Sequence, residues 1–193
     1  MGDELTLPGN SVALVTGATG FTGSALVRKL CARGARVRAI ARASSNRDGL
    51  RDLPIEWVEG DVFDPAVVER ASAGVDIIFH VAAAFRQAGL SDEMYGKVHV
   101  ESTRLLAEAA LKNPGFKRFV HVSTVGVHGH VENPPADEDY PFGPGDIYQR
   151  TKAEAELWIR EFAARHNLSL AVIRPAAIYG PGDRRLLKVF KMA

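Results

Sequence analysis

Along the 193 residues, short apolar runs alternate with longer stretches whose apolar positions recur at helical spacing. Residues 11–16 are almost continuously apolar, the pattern of a strand buried on both faces. Residues 21–33 carry apolar side chains every three to four positions and stop at Gly34, which predicts the first helix. Residues 35–41 and 55–58 read as the second and third strands, Pro65 opens a short helix, and residues 75–79 read as the fourth strand. A long amphipathic helix is predicted over 91–111, ending before Asn113-Pro114-Gly115. Residues 118–123 and 169–174 complete the strands, with a helix at 148–166 between them. Strands separated by helices of this length require right-handed crossovers. The pattern therefore predicts one α/β domain, a doubly wound parallel sheet with helices on both faces. No internal repeat is present. The long loop at 129–146, rich in Pro, Gly and acids, reads as a functional rim rather than a plain connector.

Composition narrows the setting. Hydrophobic residues make up 46% and charged residues 24%, an ordinary globular balance. The net charge is +1 and the basic residues are scattered, so no field would recruit nucleic acid or an anionic membrane. Cys31, the single cysteine, permits no internal disulfide and reads as a small apolar residue of the first helix. The N-terminus lacks a basic stretch followed by an apolar run, and no apolar run approaches the ~18 residues of a membrane span. The expectation is a cytoplasmic protein with a single domain over 1–193.

Chemistry enters at the glycines. Gly17-x-x-Gly20-x-x-Gly23, with Thr19, Phe21 and Thr22 between them, follows a strand and opens a helix. Such a turn lets the backbone approach a pyrophosphate, and the free amides and dipole of the helix attract the anion. The plain alternative is a tight turn whose glycines only suit its geometry. The reading preferred here is a Rossmann-type dinucleotide site. At the end of the second strand an acid would accept the ribose hydroxyls of NAD; the sequence instead has Arg42, with Arg47 close behind. Guanidinium groups suit a 2′-phosphate, so NADP is expected, with NAD possible; the alternative is a pair of solvated surface arginines. Asp61 and Val62 follow the third strand, where Asp61 can accept from the adenine amino group, while Asp64 before Pro65 reads as a helix cap. His80 ends the fourth strand and reads as a packed histidine. Small residues Ala82, Ala83 and Ala84 after it would let the cofactor lie close to the backbone. No cluster of His, Cys, Asp and Glu has metal-ligand spacing.

Val122-Ser123-Thr124 ends the fifth strand, on the edge where α/β sheets bind ligands, and its hydroxyls can hold a carbonyl. Tyr148 and Lys152, four apart on a predicted helix, share one face. An ammonium beside a phenol favours the phenolate, giving a proton donor and acceptor near neutral pH. A tunable acid near a hydride carrier means redox chemistry on a carbonyl or alcohol.

The ordered set Thr16-Gly17-x-x-Gly20-x-x-Gly23, Gly60-Asp61-x-x-Asp64, His80-x-Ala82-Ala83, Ser123-Thr124 and Tyr148-x-x-x-Lys152 resembles the extended short-chain dehydrogenase/reductase family. That grouping includes sugar-nucleotide epimerases and dehydratases, dihydroflavonol reductases and 3β-hydroxysteroid dehydrogenases. The resemblance implies that Tyr148 is the general acid/base and that Lys152 binds the nicotinamide ribose and depresses the pKa of the tyrosine. It places the family's serine on Thr124, preceded by Ser123. The segment from Arg174 through Pro175 and Ala176 to Tyr179-Gly180-Pro181-Gly182 is similar to one that lies near the nicotinamide carboxamide, and Val122 closes the strand beneath it. His99 stands where many relatives carry an asparagine that helps place the lysine. Family members continue well beyond the position of Ala193, where most of the substrate lobe lies, so a fragment or truncated form is expected. The resemblance points to a small-molecule substrate, and the predicted helices at 91–111 and 148–166, long and partly apolar, suggest a homodimer through a helix-bundle surface. Its main alternatives are an epimerase or dehydratase, or a dinucleotide-binding sensor without turnover. Dehydratases of this type add an acidic pair beside the hydroxyl residue, and Val125 and Gly126 argue against that reaction.

Overall fold

The computed structural model describes residues 11–84, 89–181 and 183. Six strands, β1 (Val12–Thr16), β2 (Arg36–Ala41), β3 (Ile55–Glu59), β4 (Ile77–His80), β5 (Arg118–Val122) and β6 (Leu170–Ile173), form one sheet in the order β3-β2-β1-β4-β5-β6. Every pairing is parallel. The alternating direction of strand side chains sends Leu14, Ile40, Ile78 and Phe119 to one face and Ala13, Val15, Val37 and Ala39 to the other. Helix α1 (Phe21–Ala32) covers the second face through Val27 and Leu30. The first face is covered by α2 (Pro65–Ser72), α4 (Ser102–Leu111) and α5 (Ile147–His166), whose Val67, Leu106 and Ile159 join the core there. This is the Rossmann-type doubly wound sheet that the pattern predicts.

Strand order reverses between β1 and β4, so the chains leaving their carboxyl ends diverge and leave a crevice. The ends of the elements follow ordinary capping rules. Asp64 accepts from the amides of Ala66 and Val67 with Pro65 in the first turn, as the sequence predicts. Asp146 caps α5 in a capping box: its carboxylate accepts from the Gln149 amide at 2.8 Å, and Gln149 Oε1 accepts from the Asp146 amide at 3.4 Å. Asn167, in the left-handed region with φ 52°, ends that helix.

The predicted helix at 91–111 differs in one respect. It runs as α3 (Asp92–Gly96), a π turn at Lys97–Glu101, and then α4. The wider turn brings His99 into the interior, where its ring finds tertiary partners that no local pattern announces. The fourth strand begins at Ile77 rather than 75. Asp76 is instead occupied in tying the Val12 amide and the Lys117 ammonium to the amino-terminal edge of the sheet.

Candidate active site

The turn between β1 and α1 is built for close approach. Gly17 has φ +69°, and a Cβ there would lie 2.8 Å from the Ala82 backbone. A Cβ on Gly23 would lie 2.1 Å from the Gly17 carbonyl oxygen, so any larger residue would push α1 off the turn. Gly20 caps α1 without a side-chain hydrogen bond, and no acid stands in the first turn. The amino-terminal end of α1 therefore offers the positive end of its dipole with no acid to repel an anion, which suits the pyrophosphate of a dinucleotide.

From this turn a cleft of about 830 Å³ runs along the carboxyl edge of the sheet. Its walls include Gly17, Thr19, Gly20, Phe21, Thr22 and Gly23, then Arg42, Asp61 and Val62 toward one end. Ala82, Ala83 and Ala84 line the middle; Val122, Ser123, Thr124, Tyr148, Lys152, Pro175 and Ala176 line the other end. Two residues singled out from sequence lie elsewhere. Arg47 lines a neighbouring hollow, with its guanidinium 3.1 Å from Glu59 and over the Trp57 ring. His99 is buried behind the cleft wall. Gly182, the end of the motif beginning at Arg174, lies outside the described residues.

Hydroxyl and amine groups converge at the β5 end of the cleft. Thr124 Oγ1 accepts from the Gly126 amide at 3.1 Å and caps the short 3-10 turn Val125–His128, an arrangement that leaves the hydroxyl proton to donate. Ser123 is buried, and its Oγ has no partner among the described residues. The Ser123 amide donates to the Ile173 carbonyl at 2.7 Å and the Val125 amide to the Pro175 carbonyl at 3.1 Å, which brings the β6 end beside these hydroxyls. Lys152 is 2% exposed, and its Nζ donates to the Val122 carbonyl. Burial pushes its pKa down to about 8, opposed by the charge of Glu156 one turn on.

Two hydrogen-bonded histidines form the support. Ser102 Oγ donates to the Val98 carbonyl, so it accepts from His80 Nε2, at 3.0 Å. His80 Nδ1 then accepts from Thr16 Oγ1 at 2.8 Å, and that oxygen accepts from the amides of Val81 and Ala82 at 3.1 Å each. The chain of bonds ties β1, β4 and α4 together under the cleft floor, which makes His80 a packed histidine, as read from sequence. His99 Nε2 accepts from the Ala84 amide at 3.0 Å, so Nδ1 carries the proton and donates to Thr151 Oγ1 at 2.8 Å. Its ring stands edge-on to Tyr148, with centroids 5.4 Å apart. Burial, aided by the Lys152 charge, pushes the pKa of His99 down to about 3, which keeps this tautomer neutral.

A family model described as the NAD dependent epimerase/dehydratase family matches residues 13–192. The chain belongs to the NAD-dependent epimerase/dehydratase family. Within the family, it is 39% identical to the sterol demethylase protein B of Methylococcus capsulatus, over 89% of this chain and 53% of that protein. It is 34% identical to a ceramide reductase of Caulobacter vibrioides, over 94% of this chain and 51% of the relative. Among solved structures, the dTDP-glucose 4,6-dehydratase DesIV of Streptomyces venezuelae, with NAD and TYD bound, superposes with TM-score 0.83 at 30% identity. That match covers 94% of this chain and 61% of DesIV. The chain spans about half the length of the curated relatives it matches.

For this family member, one cluster has no counterpart in the sequence reading. Glu156, fully buried, accepts from Arg174 Nε and Nη2 at 3.0 and 2.6 Å. Arg174 Nη1 donates to the Glu138 carbonyl at 2.9 Å and to His128 Nε2 at 3.2 Å, and the guanidinium lies over Phe142. These bonds join the rim loop, β6 and α5. The available signal was Glu156 four residues after Lys152, on the same helical face as a strongly charged neighbour. No group of three or more His, Cys, Asp and Glu among the described residues could hold a metal ion. No helix among them is long and apolar enough to cross a membrane.

Proposed function

We propose that this chain is the cofactor-binding and acid/base part of an NADP(H)-preferring reductase acting on a carbonyl or secondary alcohol. The observation that carries the reading is the meeting of Thr124, Tyr148 and Lys152 in the cleft that begins at the glycine turn. The nicotinamide cofactor supplies hydride when bound. Gly17, Gly20 and Gly23 with the start of α1 would hold the pyrophosphate, Asp61 and Arg42 would receive the adenosine end, and Pro175 and Ala176 would lie toward the nicotinamide. In the reduction direction Thr124 and Tyr148 orient the carbonyl oxygen, with Ser123 as a second hydroxyl. Tyr148 gives its proton to that oxygen as charge develops. Lys152, still largely protonated at neutral pH with a pKa of about 8, stabilises the phenolate left behind.

Run in reverse, the same residues take a proton from a secondary alcohol, the opening step of an epimerase. Val125 and Gly126 offer no acid beside Thr124 for a dehydration. The domain reading is a single cofactor-binding unit over the residues given. Two copies are expected to pair through α4 and α5, whose outer surfaces expose Leu111 and Leu157.

The test is Tyr148→Phe assayed for oxidation of NADPH with a panel of small ketones and aldehydes. Turnover should fall by about 10²- to 10⁴-fold while fluorescence titration shows unchanged NADPH binding. Equal rates in the two proteins would remove Tyr148 from the chemistry. Tight NADPH binding with no turnover by the wild type would favour a dinucleotide sensor.

A further inference from the structure

Beside the Arg42 end of the cleft, a second arginine lies just outside its lining. Arg42 lines the cleft itself, whereas Arg47 lines an adjoining hollow of about 680 Å³ with Trp57 and Glu59; Ser45 lines both. Glu59 ends β3 directly beside Ala41, the last residue of β2 and the one before Arg42. Arg47 Nη2 lies 3.1 Å from Glu59 Oε2 and reaches the Arg42 carbonyl at 3.5 Å, with the guanidinium 5.0 Å from the Trp57 ring centroid. The side chain of Glu59 is 62% exposed and that of Arg47 28%, so the pair sits at the solvent boundary and can exchange partners.

We propose that Glu59 is a specificity-determining residue that tunes preference for a 2′-phosphorylated dinucleotide by holding Arg47 on Trp57, away from the cleft. The inference rests on the NADP reading above and extends it. A 2′-phosphate entering beside Arg42 meets one committed guanidinium and one engaged with a carboxylate. To recruit Arg47 it has to displace Glu59, and the freed carboxylate then adds its own repulsion. The phosphate can succeed because it offers more charge and more acceptor oxygens to the same planar fork. A cofactor without that phosphate gains nothing from moving Arg47. Glu59 therefore acts on one dinucleotide and leaves the other alone.

The experiment titrates NADPH and NADH by fluorescence into wild type, Glu59→Gln, Arg42→Ala and the double variant Glu59→Gln/Arg47→Ala. Thermal melts confirm that each is folded. Removing the competing charge at an exposed pair should tighten NADPH by about two- to fivefold with NADH unchanged, and raised salt should shrink the gain. The gain should vanish in the double variant. Equal NADPH affinity in wild type and Glu59→Gln, or a gain shared by NADH or independent of Arg47, overturns the inference. The NADP preference itself is read separately: tighter NADH than NADPH in wild type, with no loss in Arg42→Ala, overturns that reading. In that case, the Glu59→Gln comparison still decides whether Glu59 restrains Arg47.

Discussion

Beneath the cleft, three histidines and a lysine are withdrawn from water. His80, His99, His121 and Lys152 are each no more than 2% exposed. Burial lowers the pKa of all three histidines, and the neighbouring Lys152 charge adds to the effect. His80 and His99 use both ring nitrogens, but His121 has no partner for either among the described residues and lies 5.7 Å from the His80 ring. A histidine held neutral in the fold takes up its proton only on unfolding. As pH falls below the ordinary value of 6.5, the unfolded chain binds more protons than the native one and stability is lost. Each such histidine steepens the acid limb by about 1.4 kcal/mol per pH unit. His121→Leu should remove one increment and, by deleting an unpaired polar group, leave neutral-pH stability nearly unchanged or raised. Urea unfolding between neutral and mildly acidic pH measures this, and an unchanged slope would show that His121 is protonated in the native state. Tyr148 and Lys152 were legible in sequence because four residues make one helical turn. His121 was not, since its burial depends on pairing with β4 and on the cover of distant helices.

At the scale of the element, α5 carries Tyr148 and Lys152, and its start fixes where the two side chains sit. The capping box of Asp146 and Gln149 immediately precedes and includes the first turn holding Tyr148. Asp146→Ala leaves an amide unsatisfied and should cost about 1 kcal/mol, fraying the turn that positions the phenol. Thermal melting would register the loss, and a fall in turnover larger than the loss of folded protein would mark the positioning effect. An Asp146→Asn variant should restore most of both. This cap follows from local chemistry. The π turn at Lys97–Glu101 does not: its His99 is satisfied by Ala84 and Thr151 from other parts of the chain, partners that no local spacing announces.

Across the whole molecule, Glu156 and Arg174 join α5, β6 and the rim loop at 129–146. Their separation of 18 residues hides the contact from any helical or strand period. Arg174→Met would leave a fully buried carboxylate with Arg160 at 3.7 Å and the Lys152 charge one turn away for partial compensation. The expected loss is about 3 kcal/mol, because an uncompensated buried charge costs more than the pair is worth. Chemical denaturation would detect it, and Glu156→Gln added to Arg174→Met should recover a substantial part. A double variant no more stable than the single one would show that the pair is solvated and only weakly coupled.

Periodicity, glycine spacing and the Tyr148–Lys152 interval belong to the sequence itself, because each expresses a local rule of backbone geometry. They sufficed for the sheet, for the glycine turn and for gathering the predicted site residues, all of which line the cleft except Arg47 and His99. The three-dimensional arrangement decided the remainder. It sent Arg47 to Glu59 and Trp57, turned His99 into a brace behind Tyr148, and buried Glu156 against Arg174. Those outcomes are competitions among charged or polar groups far apart in the chain, and only the folded distances settle which partner wins.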